Sequence, residues 1–138
     1  MEVLLRLERE SLAPYALPGN IISMNMYDDL PLPWNISPPV SDFPQSKFVK
    51  LDNDREGVLS NGVSFFNNDE KESLDEIENG LGTASMVTRW RAANPELVGT
   101  DKDVVKVFTR ELREALGGKQ DWIVRGSGMA ILLFKKSV

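Results

Sequence analysis

Thr100-Asp101-Lys102-Asp103-Val104-Val105-Lys106-Val107-Phe108-Thr109-Arg110-Glu111-Leu112-Arg113-Glu114-Ala115-Leu116-Gly117-Gly118 carries the marks of an amphipathic helix from its first turn to its last. Thr100 and Asp103 stand at capping-box spacing, with Asp where Glu is usual. Val104, Val105, Val107, Phe108, Leu112, Ala115 and Leu116 recur with a period near 3.6 and form one apolar face. Gly117-Gly118 closes the helix, because glycine takes the left-handed conformation that ends one. Lys102, Lys106, Arg110 and Arg113 follow one another at steps of four, four and three, a cationic line away from the apolar face. Glu111 and Glu114 share that helix, and Arg110 with Glu114 makes an i,i+4 pair, so the same pattern also describes an ordinary solvated surface.

The neighbouring segments extend the reading in both directions. Upstream, Thr83 caps a helix over residues 84–94 whose Met86, Val87, Trp90 and Ala93 share a face, and Pro95 stops it. Before that, Asn68 caps a helix over 69–79 with Leu74, Ile77 and Leu81 as its apolar edge, closed by Gly80. Downstream, residues 121–125 and 129–134 flank Gly126-Ser127-Gly128 and read as a β-hairpin. Three helices and a terminal hairpin resemble a winged-helix arrangement in element order, with no family motif behind it. The resemblance implies a nucleic-acid face built from Arg89, Arg91, Lys102, Lys106, Arg110, Arg113 and Arg125, with Thr109 or Arg113 reaching base edges.

The N-terminal part has a different texture. Residues 2–8 alternate as a half-buried strand does, a short helix through Glu10 being the alternative, and residues 20–26 suit a second strand. Five of the eight prolines fall within 27–46, which excludes helix and central strand and predicts an extended arm. Tyr27, Asp28, Asp29, Leu30, Trp34 and Phe43 on this arm are the candidate partner-binding residues; the alternative is that its aromatics pack on the protein's own core. Residues 47–51 suit a strand. Asn61-Gly62 between two β-prone runs predicts a hairpin over 57–66.

Composition narrows the function. The 138 residues contain no Cys and no His, which removes thiolate chemistry, disulfides and the commonest general base and zinc ligand. Asp52-Asn53-Asp54-Arg55-Glu56-Gly57 opens like a calcium loop, but its twelfth position is Val63, which offers no carboxylate. No metal site, cofactor or catalytic group is expected. Residues 1–83 hold six Lys and Arg against fifteen Asp and Glu, a balance of −9, whereas residues 84–138 hold ten against six, a balance of +4. The opening Met1-Glu2-Val3-Leu4-Leu5-Arg6 lacks the form of a signal peptide, and no apolar run suits a membrane span, so a cytoplasmic or intraviral location is expected. The sequence therefore predicts an α+β fold: an acidic, proline-containing β and loop part over 1–67 and a helical module with a terminal hairpin over 68–138, or one continuous domain of both. The expected function is non-catalytic binding of another protein, or self-assembly, as a regulatory or structural subunit. Nucleic-acid binding by the basic helix face is the alternative.

Overall fold

The computed structural model describes residues 2–65 and 70–137. In chain order its elements are α1 (Glu2–Arg6), α2 (Pro18–Met24), β1 (Val49–Asn53), β2 (Glu70–Ser73), α3 (Leu74–Gly82), α4 (Ser85–Ala93), α5 (Val104–Ala115), β3 (Trp122–Arg125) and β4 (Met129–Leu133). The fold is mixed α+β with two small antiparallel sheets, β1–β4 and β2–β3. The chain gathers into two compact units, one of residues 1–17 and 70–125, the other of 18–69 and 126–138. Each unit takes sequence from both sides of residue 68.

The first unit is helical and holds the core. Leu7, Leu12, Leu74, Ile77, Met86, Val87, Val104, Val105 and Phe108 are buried together. Five of these nine lie on the predicted apolar faces of α4 and α5, and two on that of α3. Leu7 and Leu12 come from the N-terminal segment, which takes the alternative of its two readings, a short helix, in place of the half-buried strand. Val3 and Leu7 lie four residues apart on the face that meets this core, and Leu12 N–H closes on the Leu7 carbonyl at 2.9 Å.

The helix expected over 69–79 begins only at Leu74. Asn68 lies outside the described residues, and Ser73 is the cap: its hydroxyl accepts from Glu76 N–H while the Glu76 carboxylate accepts from Ser73 N–H. Glu70–Ser73 instead pair with β3, Glu70 opposite Arg125 and Ser73 opposite Trp122. This pairing also overturns the expected hairpin of 121–125 with 129–134. Arg125 Nε lies 2.8 Å from Glu72 Oε2, and Lys71 Nζ sits 4.2 Å over the Trp122 ring, so β3 finds charge partners on β2 that an apolar β4 does not offer. The cap of α4 moves too: Ala84 is its N-cap, and Thr83 ends α3.

Helix α5 keeps its predicted apolar face and glycine end but begins only at Val104: the Thr100–Asp103 capping box does not form, because Thr100 Oγ1 donates to the Leu97 carbonyl and accepts from Lys102 N–H in the turn before the helix. The Asp103 side chain caps it by accepting from Val105 N–H, and Gly117 (φ 72°) and Gly118 (φ 69°) turn the chain out. Gly118 N–H reaches the Arg113 carbonyl and Gly117 N–H that of Glu114, the paired bonds of a Schellman end.

The second unit is looser. Strand β1 pairs β4 with Val49 opposite Leu133 and Asn53 opposite Met129. The stretch 20–26, read as a strand, is helical instead: its residues 20–24 belong to α2 (Pro18–Met24). The Asn61-Gly62 hairpin is absent among the described residues; Phe66 lies outside them. Gly62 does take φ 71°, but Asn61 Oδ1 accepts from Val63 and Ser64 N–H and makes a local turn without strands. Asp54, buried at φ 54°, governs this loop: its carboxylate accepts from Ser60 N–H at 2.7 Å, and its own N–H donates to Ser60 Oγ at 2.6 Å. That exchange draws 58–60 out of any ladder.

Candidate functional site

The cationic line rests on the way α5 is held. Val104, Val105, Phe108 and Thr109 point into the core, so the opposite side of the helix must face water. Lys102, in the turn before the helix, and Lys106, Arg110 and Arg113 on it are all exposed. Lys106 Nζ donates to the Gly99 carbonyl at 3.0 Å, and Arg110 donates to the Asp101 carbonyl at 3.1 Å in place of the expected pair with Glu114. Both side chains are thereby laid back over the turn that precedes α5. The side chains of Lys102 and Arg113 make no hydrogen bond or ion pair among the described residues. An open depression is lined by Lys106, Arg110 and Arg113 together with Glu78, Asp101 and Thr109. Thr109 lies beneath it, buried, and donates to Glu78 Oε2 at 2.9 Å. It cannot reach a base edge, contrary to expectation, because its hydroxyl is held inside the helix pair. Glu78 was not a candidate; its acidic neighbours on α3 gave no signal that it would sit by the cationic line.

The other three basic candidates are held by the fold. Arg91 grips Asp103 with two prongs, Nε to Oδ2 at 2.9 Å and a terminal nitrogen to Oδ1 at 3.1 Å, and donates to the Gly82 carbonyl at 3.2 Å. Asp103 is 0% exposed. Burial works against its ionisation, but Arg91 and the amides of Val105 and Gly99 outweigh it and hold the carboxyl below the usual carboxylate range. Arg91 thus ties the ends of α3 and α4 to the start of α5. Arg89 Nε donates to the Tyr15 carbonyl at 2.6 Å, anchoring the N-terminal segment. Arg125 is exposed and paired with Glu72 across the β2–β3 ribbon.

The candidate arm is largely folded onto its own unit. Trp34 meets Phe48 edge-on, ring centres 5.1 Å apart, and Phe48 meets Phe134 at 5.0 Å. Leu30 and Phe43 are half-buried; Tyr27, Asp28 and Asp29 are exposed. Asp28 accepts from Lys50 and from both ends of the Arg55 guanidinium, which hold its carboxyl below its ordinary range. Arg55 also pairs with Asp52, and hydrogen bonds to Asp52 and then Asp28 raise its pKa further. Asp29 accepts from Asn25 at 3.0 Å. Of the six arm candidates, then, Asp28 is in an ion cluster and Trp34 in an aromatic one, while Tyr27 is the large side chain left in water.

Among the described residues no group of three or more acidic side chains is placed to hold a metal ion, and no helix is long and apolar enough to cross a membrane. The chain matches no family model, no curated protein and no solved structure.

Proposed function

We propose that this chain is a non-catalytic interaction protein whose second unit completes its fold against another protein, as a regulatory or structural subunit in the cytoplasm or a virus particle. One observation carries the reading. Among the described residues of that unit, Asp54 is the one buried side chain, and no apolar side chain is buried. Large apolar groups are in water instead, Val58 at 72% and Val63 at 81% exposure. A chain segment of some sixty residues normally needs a contiguous apolar core to offset the entropy of ordering it. Scattered surface apolar residues are ordinary; a unit whose apolar side chains are at most half-buried has burial still to come. The absence of Cys and His supports the non-catalytic part of the reading.

Hydrogen exchange on the dilute, purified chain tests this. Amides of β1 and β4 are expected to exchange orders of magnitude faster than those of α5, and a dye that binds exposed apolar surface is expected to bind the native protein. Protection of β1 and β4 equal to that of α5 overturns the proposal.

The exposed line Lys102, Lys106, Arg110 and Arg113 favours a second reading, nucleic-acid binding by a winged-helix-like module. Its support is charge, since the wing hairpin is missing and ten residues, 94–103, separate α4 from α5. Neutralising three or four phosphates predicts affinity for labelled duplex or single strand falling about 50-fold between 50 and 200 mM salt. Lys106→Glu with Arg110→Glu is expected to abolish it, and no binding at low salt refutes the reading.

A further inference from the structure

We propose that β1 is the contact strand of a symmetric dimer of this chain, pairing edge to edge with β1 of a second copy. The proposal rests on the interaction reading above and names its partner.

Strand β1 is bonded on one side, to β4, and among the described residues no backbone group of Val49–Asn53 bonds outside that ladder. Its other edge therefore presents a row of unpaired amides and carbonyls. A two-stranded sheet is marginal on its own and becomes self-supporting with three or more strands. Edge strands are commonly blunted by charge, as β2 is with Glu70, Lys71 and Glu72. Strand β1 carries charge on one face alone, Lys50 and Asp52, while on the other Val49 and Leu51 stand 46% and 47% exposed.

The charges it does carry select the partner. Val49-Lys50-Leu51-Asp52-Asn53 is its own complement when run antiparallel about Leu51. Leu51 then faces Leu51 of the other copy, Val49 faces Asn53, and Lys50 faces Asp52. Symmetry makes the Lys50–Asp52 contact twice, as an isologous interface requires, and directly opposite unlike charges stabilise such a pair. Any shift of the two strands by two residues loses both contacts and sets Asp52 against Asp52 or Lys50 against Lys50. The surroundings permit the approach: Asp28, Lys50, Asp52 and Arg55 form a neutral cluster, so two copies meet without local repulsion although each chain carries −5. The resulting four-stranded sheet places Val49, Leu51, Ile131 and Leu133 of both copies on one face, because Val49 stands opposite Leu133 and Leu51 opposite Ile131.

Sedimentation or light scattering of the full chain over a wide concentration range reads the outcome. A concentration-dependent dimer is expected. Lys50→Asp and Asp52→Lys are each expected to weaken it about tenfold or more, since both symmetric contacts become like-charged. An equimolar mixture of the two variants is expected to dimerise again, the all-acidic strand of one lying against the all-basic strand of the other. Should either variant unfold by circular dichroism, hydrogen exchange on the wild type decides: protection of the β1 amides must rise with protein concentration. A wild type that stays monomeric, or a dimer indifferent to both substitutions, or a mixture that fails to dimerise overturns the proposal. A monomer with fast-exchanging β1 and β4 refutes self-pairing and leaves a different protein partner standing. A monomer with both strands protected refutes the interaction reading as well.

Discussion

Asp103→Ala removes two things at once: the carboxylate that Arg91 grips and the oxygen that caps α5. Breaking a buried ion pair by deleting one partner costs about 3–5 kcal/mol. Arg91 keeps its Gly82 bond and is part-exposed, so it re-solvates and the low end, about 3 kcal/mol, applies. Losing the cap adds about 1 kcal/mol. The sum, about 4 kcal/mol, is a large share of the ~5–15 kcal/mol that holds a domain folded. Asp103→Asn retains an acceptor for Val105 N–H and loses the charge, so about 2 kcal/mol is expected. Urea unfolding followed by far-ultraviolet circular dichroism and by the fluorescence of Trp90, which packs against the core, measures both. The pH dependence checks the cause. The folded Asp103 carboxyl lies below its unfolded value of about 3.9, so its contribution is complete above that value and disappears as pH falls through the lower folded one. The gap between wild type and Asp103→Asn must therefore close in strong acid. A loss under about 1 kcal/mol for Asp103→Ala, or a gap independent of pH, refutes the reasoning.

Two further outcomes follow from the first unit. Leu74→Ala, at a side chain 1% exposed where α3 meets the core, is expected to cost about 2–5 kcal/mol in the same urea experiment. Glu8 is half-buried, and desolvation raises its carboxyl pKa despite nearby Arg9; because the folded value lies above the unfolded one, the ionised form opposes folding as pH rises through it. Glu8→Gln is thus expected to raise the melting temperature at neutral pH and to leave it unchanged below pH of about 4, and a loss of stability at neutral pH counts against it.

The candidate site was legible where local pattern and burial agree. The period of Val104, Val105 and Phe108 places the core face of α5, and that placement alone obliges Lys106, Arg110 and Arg113 to face water. Arg89 and Arg91 carry the same charge on α4, yet they serve the fold. Nothing in their spacing reveals that Tyr15 offers a carbonyl to one and Asp103 a carboxylate to the other, since those partners lie 74 and 12 residues away. Trp34 is a similar case, an aromatic in a proline-rich stretch whose partners Phe48 and Phe134 come from two distant strands' ends.

What the residue order determined by itself is local: the faces and glycine exit of α5, the apolar faces of α3 and α4, and the opposed charge of the two parts; it misplaced the start of α5, at Val104, and the end of α3, which runs through Gly80 to Gly82. Pairing was beyond it. Residues 121–125 and 129–133 are each unmistakable strands, but an adjacent strand across Gly126-Ser127-Gly128 was the nearest partner, not the chosen one. Glu70–Ser73 supplied charge partners to β3 from about fifty residues away, and β1 took β4 from about eighty. A helix satisfies its backbone within its own segment, so its pattern suffices to place it; a strand satisfies its backbone on another segment, and only the folded chain decides which.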